Sequence, residues 1–261
     1  MSAQGVFTGK DGRFVASELA RGPWDTGAQH GGAAAALLMR EFERLPAADG
    51  LMIARVTYEL LRPVPLGELV VEASVVRPGR RVQLLEGSIA TPDGTEVVRA
   101  RALRVSRARA PSAGSGDTDV PPPPNYADES PPPFVPPHRP LFAPDAIEVR
   151  VVAGELGTGA RTAWFRLRAQ IVAGEQPTPL QRLVAAADFG NGISAVLDWN
   201  RYMFINPDLT VYVERSPVGE WICLEARTMI PEGGVGMAES VLYDRQGRVG
   251  RAVQALLVAP R

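Results

Sequence analysis

A few polar residues in this chain stand where apolar ones would pack more simply. Asp188 follows Leu180, Leu183, Val184 and Ala187, whose spacing is that of a helix with one apolar face. An aspartate at the edge of that stripe points toward whatever the helix packs on. A half-buried carboxylate costs free energy unless it is hydrogen-bonded or used, so Asp188 reads as a general base or water-orienting group. It can also be a helix-terminal cap, because Gly190-Asn191-Gly192 follows. Gln254 lies in a strand that is apolar on both faces, with Val253, Ala255 and Leu257 on one and Leu256 and Val258 on the other. An amide there must find partners for up to four hydrogen bonds; it holds a water or stitches strands. Asn206, Asp208 and Thr210 alternate along one expected strand and so share a face, either as a water-holding set or as a solvated polar surface. His30-Gly31-Gly32 opens an Ala-rich helical run. Glycines there allow close approach to the backbone, and free N–H groups at a helix start can polarise a carbonyl oxygen.

Other chemistries find little support. Cys223 is the only cysteine, which excludes a disulfide framework and a cysteine-based zinc site within one chain. Its surroundings, Trp221-Ile222-Cys223-Leu224, read as a strand interior, so an inert buried thiol is expected. With only His30 and His138, no Ser-His-Asp set is evident. Gly233-Gly234-Val235-Gly236 lies between two expected strands and opens no helix, so it is a turn and no dinucleotide fingerprint. No metal and no cofactor are called for. The net charge of -1, without a dense basic block, argues against nucleic acid as a partner. No signal peptide and no apolar run long enough to span a membrane are found, and the expectation is a soluble cytoplasmic protein.

The elements that would position these residues occur twice. Thr57-Tyr58-Glu59-Leu60-Leu61-Arg62 and Gly67-Glu68-Leu69-Val70 are echoed by Thr210-Val211-Tyr212-Val213-Glu214-Arg215 and Gly219-Glu220-Trp221-Ile222. Thr57 to Thr210 is 153 residues and Gly67 to Gly219 is 152, and the offset persists to Arg101-Ala102-Leu103 against Gln254-Ala255-Leu256. A fixed offset is the mark of internal duplication. Each half reads as a strand (13–19; 162–171), a helix (31–45; 180–196) and then an antiparallel meander, an α+β layer architecture. Twelve of the 24 prolines fall between Pro111 and Pro144. Such a segment favours extended polyproline II and reads as a linker or a strap along the surface. The expected organisation is two domains, 1–107 and 145–261, joined by a linker at 108–144, with their sheets joined edge to edge.

Gln29-His30-Gly31-Gly32 before an Ala-rich helix, followed by Leu61-Arg62-Pro63 and a Gly-Glu-Leu strand, resembles the first half of the type II acyl-CoA thioesterases. Ala187-Asp188-Phe189 and Ala252-Val253-Gln254 resemble that family's catalytic half. The resemblance implies a double hot-dog fold and hydrolysis of acyl-CoA or another thioester by an activated water, without metal or covalent intermediate. It also implies a homodimer of chains. Asp188, Asn206, Thr210 and Gln254 would then be catalytic, and His30, Gly31 and Gly32 would bind substrate. The family pattern has a hydroxyl residue where this chain has Asn206, and Thr210 is an imperfect substitute. Two other readings share the fold. A non-catalytic acyl-CoA-binding hot-dog protein is not separated by the residues. A hydratase is disfavoured, since Phe204 and Leu209 stand where its aspartate and histidine would be.

Overall fold

The computed structural model describes residues 5–107, 120–123, 128–129 and 139–261. Most of the expected linker, His138 included, lies outside the described residues. The first half contributes β1 (Gly5–Lys10), β2 (Arg13–Ala16), α1 (Gly31–Arg44), β3 (Leu51–Leu60), β4 (Glu68–Arg77), β5 (Val82–Ala90) and β6 (Glu96–Ser106). After the short β7 (Asp128–Glu129), the second half contributes β8 (Ile147–Ala153), β9 (Ala160–Leu167), β10 (Gln170–Val172), α2 (Pro179–Ala187) and α3 (Gly190–Ile193). It continues with β11 (Tyr202–Ile205), β12 (Asp208–Val213), β13 (Trp221–Met229), β14 (Gly236–Asp244) and β15 (Gly247–Pro260). Strands dominate and helices are few, an α+β architecture.

The strands form one sheet in the order β10-β1-β2-β4-β5-β6-β3-β12-β15-β14-β13-β9-β8-β7, with β11 pairing β15 beside it. The halves join edge to edge where β3 meets β12 antiparallel, Thr57 opposite Thr210. Only two residues separate β9 from β10 in the chain, yet they stand near opposite ends of the strand order. The sheet therefore curls until its ends approach, around the helices. At the closing edge β1 runs parallel to β10, with Phe7 opposite Val172.

Both helices lie inside this curl and pack on each other. α1 is favoured by its Ala33–Ala36 run and is buried along nearly its whole length, through Leu37, Leu38, Met39 and Phe42. It ends at Leu45, before Pro46, whose ring disfavours the helical conformation of the residue preceding it. The Tyr58 hydroxyl donates to Ala35 O at 3.1 Å and ties α1 to β3. α2 begins with Thr178, whose side chain accepts from Gln181 N at 3.2 Å, and with Pro179 at its first position. One core runs through both halves, from Phe14 and Phe42 to Leu183, Leu224 and Leu242.

Five expectations need correcting. The strand expected at 13–19 is β2 alone, followed by a helical turn at Glu18–Ala20, and the one at 162–171 is interrupted at Arg168-Ala169. The second-half helix does not run to residue 196; it breaks at Asp188, where Gly190 and Gly192 follow, and restarts as α3. Asn206 does not share a strand with Asp208 and Thr210: it sits between β11 and β12, because Pro207 has no N–H to continue the ladder. Finally, Arg101 stands opposite Thr57 as Val253 stands opposite Thr210. The counterpart of Arg101 is therefore Val253, and that of Gln254 is Ala102. The halves differ at that position, a glutamine against an alanine.

On the outer face of the second-half sheet, Trp164, Trp221, Cys223 and Tyr243 cluster, with Val120 packed against them. Trp164 Nε1 donates to Pro122 O at 2.6 Å, so this described piece of the proline-rich segment lies along the sheet as a strap. Cys223 is buried, and burial pushes its thiol well above the usual range, as an inert thiol requires. Among the described residues no helix is long and apolar enough to cross a membrane.

Candidate active site

The start of α1 meets the end of α2. Asp188 is the residue that caps α2, and its side chain is directed at the first turn of α1. Gly32 N donates to Asp188 Oδ2 at 2.7 Å, and His30 Nδ1 lies 3.0 Å from the same oxygen. Nδ1 is also 3.1 Å from Gly32 N. It cannot both accept that N–H and donate to the carboxylate. The shorter bond to a charged acceptor is the stronger, so we assign the Gly32 N–H to Oδ2 and a proton to Nδ1. The same imidazole borders the cavity described below.

Glycine is what permits this approach. A Cβ on Gly31 would lie 2.8 Å from Asp188 Oδ2, and one on Gly32 would lie 2.6 Å from Ala185 O. The electrostatics partly oppose each other. A carboxylate at the C-terminal end of its own helix is unfavourable, whereas the N-terminal end of α1 favours it. The direct N–H bond from Gly32 decides in favour of the observed position.

The other carboxylate oxygen is held from the sheet side. Asn206 Nδ2 donates to Asp188 Oδ1 at 2.8 Å, and Gln254 Nε2 donates to it at 3.2 Å. Gln254 Nε2 also lies 3.3 Å from Asp188 O, and Gln254 Oε1 accepts from Asn191 N at 3.2 Å. A Cβ on Gly190 would lie 3.0 Å from Gln254 Oε1, so α3 also needs glycine to sit on this amide. Asp188 and Gln254 are 5% and 2% exposed, so these bonds replace water almost completely.

His30, Gly31, Gly32, Asp188, Asn206 and Gln254 are thus brought together. Thr210 is not. Thr210 faces Val253, the neighbour of Gln254, so alternation turns it to the opposite side of the sheet. Its hydroxyl bonds Thr57 Oγ1 at 3.1 Å. Asp208 does not reach the carboxylate either; its Oδ1 accepts from Ala255 N at 2.7 Å.

Beside Asp188 opens a cavity of about 110 Å³. His30, Gly31, Asp188 and Asn206 give it a polar side, and Trp24, Phe189, Ile193 and Trp199 an apolar one. The imidazole of His30 stacks on Phe189, centroids 4.2 Å apart. Trp24 stacks on Trp199 at 4.0 Å, and Phe204 meets both edge-on. Sequence reasoning missed Asn191, Trp24, Phe189 and Trp199. Asn191 carried a signal, being an amide next to the suspect aspartate; the tryptophans lie in connecting segments without periodicity. Among the described residues, no group of three or more His, Cys, Asp or Glu side chains could hold a metal ion.

Comparison with known proteins bears on the family and the fold. A model of the acyl-CoA thioesterase N-terminal domain matches residues 20–105, and one of the acyl-CoA thioesterase C-terminal domain matches residues 105–258. No curated protein sequence matches the chain. Among solved structures, a conserved protein with a hot-dog fold from Alicyclobacillus acidocaldarius superposes with a TM-score of 0.74 at 19% identity, over 98% of this chain and 95% of that one. A Thermobifida fusca YX protein provisionally named thioesterase II gives 0.75 at 17% identity, over 96% and 93%. An acyl-CoA thioesterase II from Mycobacterium marinum gives 0.69 at 14%, over 98% and 96%. At such identities these structures speak for the hot-dog fold alone. The two domain models do more, because they follow one another along residues 20–258, and Asp188, Asn206 and Gln254 fall within the second: the chain belongs to the acyl-CoA thioesterase family.

Proposed function

We propose that the chain hydrolyses acyl-CoA thioesters by direct attack of water. Its scaffold is a double hot-dog of two domains, 1–107 and 145–261, with 108–144 as the linker. One observation carries the reading: a buried carboxylate, gripped on both oxygens, borders an apolar cavity of acyl dimensions. A purely structural aspartate would have no need of that opening.

The longest of the four bonds to the carboxylate, Gln254 Nε2 to Oδ1, is the one a water replaces. Inserted there, the water donates to Asp188 and is held by the amides of Gln254 and Asn206. As its oxygen attacks the thioester carbon, its proton passes to Asp188. The carbonyl oxygen, becoming negative, lies at the first turn of α1. Gly32 N–H is already given to Asp188, and Gly31 N–H has no acceptor among the described residues, so Gly31 is the donor to the oxyanion. Collapse of the intermediate breaks the carbon–sulfur bond, and the proton on Asp188 goes to the departing sulfur. His30 keeps Oδ2 in place through Nδ1.

A second reading is favoured by one feature. A carboxylate accepts about four hydrogen bonds, and here all four places are filled by protein donors. Were that set rigid, the site would bind acyl-CoA without turning it over. Release of free thiol from a panel of acyl-CoAs separates the two. Turnover supports the hydrolase; thermal stabilisation by an acyl-CoA without thiol release supports the binding protein. We place the enzyme in the cytoplasm as a homodimer, on the family resemblance; a solution mass near 28.0 kDa by light scattering would overturn the dimer.

A further inference from the structure

The cavity beside Asp188 is small and its walls are stiff. Its volume of about 110 Å³ is less than the ~150 Å³ of a dry protein cavity that holds benzene. Scaled against the six carbons of that cavity's occupant, it accommodates about four carbon-sized groups. Trp199 is 9% exposed and packs with Ala195 and Phe204, with the ring of Trp24 stacked on it at 4.0 Å and 20° between planes. Phe204 meets Trp24 edge-on at 5.1 Å and Trp199 at 4.8 Å. Three aromatic rings in mutual contact have two rotatable bonds each and brace one another, so they do not part for a flexible chain as methionines would. Ile193, Leu141 and Phe189, all buried, contribute further apolar lining.

We propose that Trp24 and Trp199 are specificity-determining residues, the end wall of an acyl site that admits short acyl groups of about three to five carbons and excludes long fatty chains. This rests on the thioesterase reading for its chemistry, and on the cavity for its size. In an apolar pocket one methylene too many or too few is worth about 10–200-fold in kcat/KM. The decline beyond the fitting length should therefore be steep.

Two substitutions move the wall in opposite directions. Trp24 is only partly buried, and Trp24→Ala removes half of the stacked pair and deepens the site. Gly192 lines the cavity, and a Cβ built on it meets nothing within 4 Å; Gly192→Val adds bulk there. The experiment measures kcat/KM on straight-chain acyl-CoAs from acetyl to palmitoyl for the parent and both variants, with melting temperatures in the same series. The parent should peak near butanoyl-CoA and lose at least about 10-fold per added methylene beyond the peak. Trp24→Ala should move the peak to longer chains and Gly192→Val to shorter ones. Palmitoyl-CoA turned over as well as butanoyl-CoA by the parent overturns the proposal, as does an unchanged chain-length profile in both variants. If Trp24→Ala does not fold, Gly192→Val carries the test. If no acyl-CoA releases thiol, the hydrolase reading falls, and the chain length giving the largest rise in melting temperature still decides the size of the site. No stabilisation by any of them overturns this proposal too.

Discussion

The hydroxyls of Thr57 and Thr210 lie 3.1 Å apart, directly opposite one another where β3 pairs with β12. These two residues are also each other's counterparts in the repeat, 153 positions apart. Stepping outward from them, Val56 faces Val211 and Arg55 faces Tyr212, while Tyr58 faces Leu209 and Glu59 faces Asp208. The local two-fold relation between the halves therefore passes between the two threonines. That explains the position of Thr210 more simply than chemistry does: it is a seam residue.

Replacing it should accordingly spare turnover. Thr210→Val loses one partly buried hydrogen bond at a cross-strand pair, at a cost of about 0.5–1 kcal/mol in stability. Its kcat/KM on the best acyl-CoA should stay within about 3-fold of the parent, as expected for a change on the far face of the sheet that leaves the positioned groups untouched. Asn206→Ala, which removes a 2.8 Å bond to Asp188, should lower it by more than 10-fold. A large loss in Thr210→Val and none in Asn206→Ala would reverse the assignment.

The two glycines of α1 should fail differently. A Cβ on Gly32 meets the backbone oxygen of Ala185 at 2.6 Å, so the two helices must separate. Gly32→Ala should lower stability by about 1–3 kcal/mol, measured by denaturant unfolding. On Gly31 the obstacles are side chains, the Asp188 carboxylate at 2.8 Å and Leu60 Cδ1 at 3.0 Å. Gly31→Ala should lose less stability than Gly32→Ala while losing most of its turnover. Equal stability losses in both would show that the site tolerates no displacement of either kind.

These contrasts show what the sequence could and could not carry. Asp188 and Gln254 stood out because a polar residue in an apolar stripe or strand is visible locally. The repeat was visible because both halves are hairpin meanders with the same turns. Thr210 was misjudged because a strand pattern was read through Pro207, and alternation does not survive an irregular residue. The counterpart of Gln254 was taken one residue away for a related reason: a shift between offsets of 152 and 153 exchanges the two faces of a strand. No local signal could have joined Gly32 to Asp188, which are 156 residues apart, since their contact depends on the packing of α1 against α2.

A second carboxylate between the helices gives a pH prediction. Glu43, near the end of α1, accepts from Thr178 Oγ1 at 2.7 Å and Gln181 Nε2 at 3.1 Å, at the start of α2. Burial raises its pKa above the usual carboxylate value; the bonds from Thr178 and Gln181 and the charge of Arg104 only partly offset this. The folded state then holds this proton more tightly than the unfolded chain does. Its contribution to stability is complete below the ordinary glutamate pKa and is lost as pH rises through the raised one. Glu43→Gln keeps an acceptor for Thr178 without the charge. It should flatten that decline and melt at a higher temperature than the parent at neutral pH. A parent melting temperature that rises more steeply across this window than that of Glu43→Gln would contradict the burial argument.

Where the proton goes in catalysis can be settled by three variants. Asp188→Asn keeps the shape of the side chain, but an amide cannot take a proton from water. Positioned general-base catalysis supplies about 10²–10⁴-fold, so kcat should fall by that factor, with some loss of melting temperature because the new NH2 faces two of the four donors that hold the carboxylate. Gln254→Ala removes a group that holds the water without activating it, and should cost about 10–100-fold. His30→Gln is the discriminating case. If His30 only steadies Oδ2, its loss should resemble that of Gln254→Ala, because the bonds from Gly32 and Asn206 still hold the carboxylate. If instead the carboxylate keeps all four of its protein donors during turnover, the water must find another base. His30 Nε2, on a ring whose Nδ1 is tied to Asp188, is then the group that accepts the proton. In that case His30→Gln falls as far as Asp188→Asn, and added imidazole restores part of the activity to His30→Ala. Full activity in Asp188→Asn would remove both versions and leave an acyl-CoA site whose carboxylate serves only to join α1 to α2.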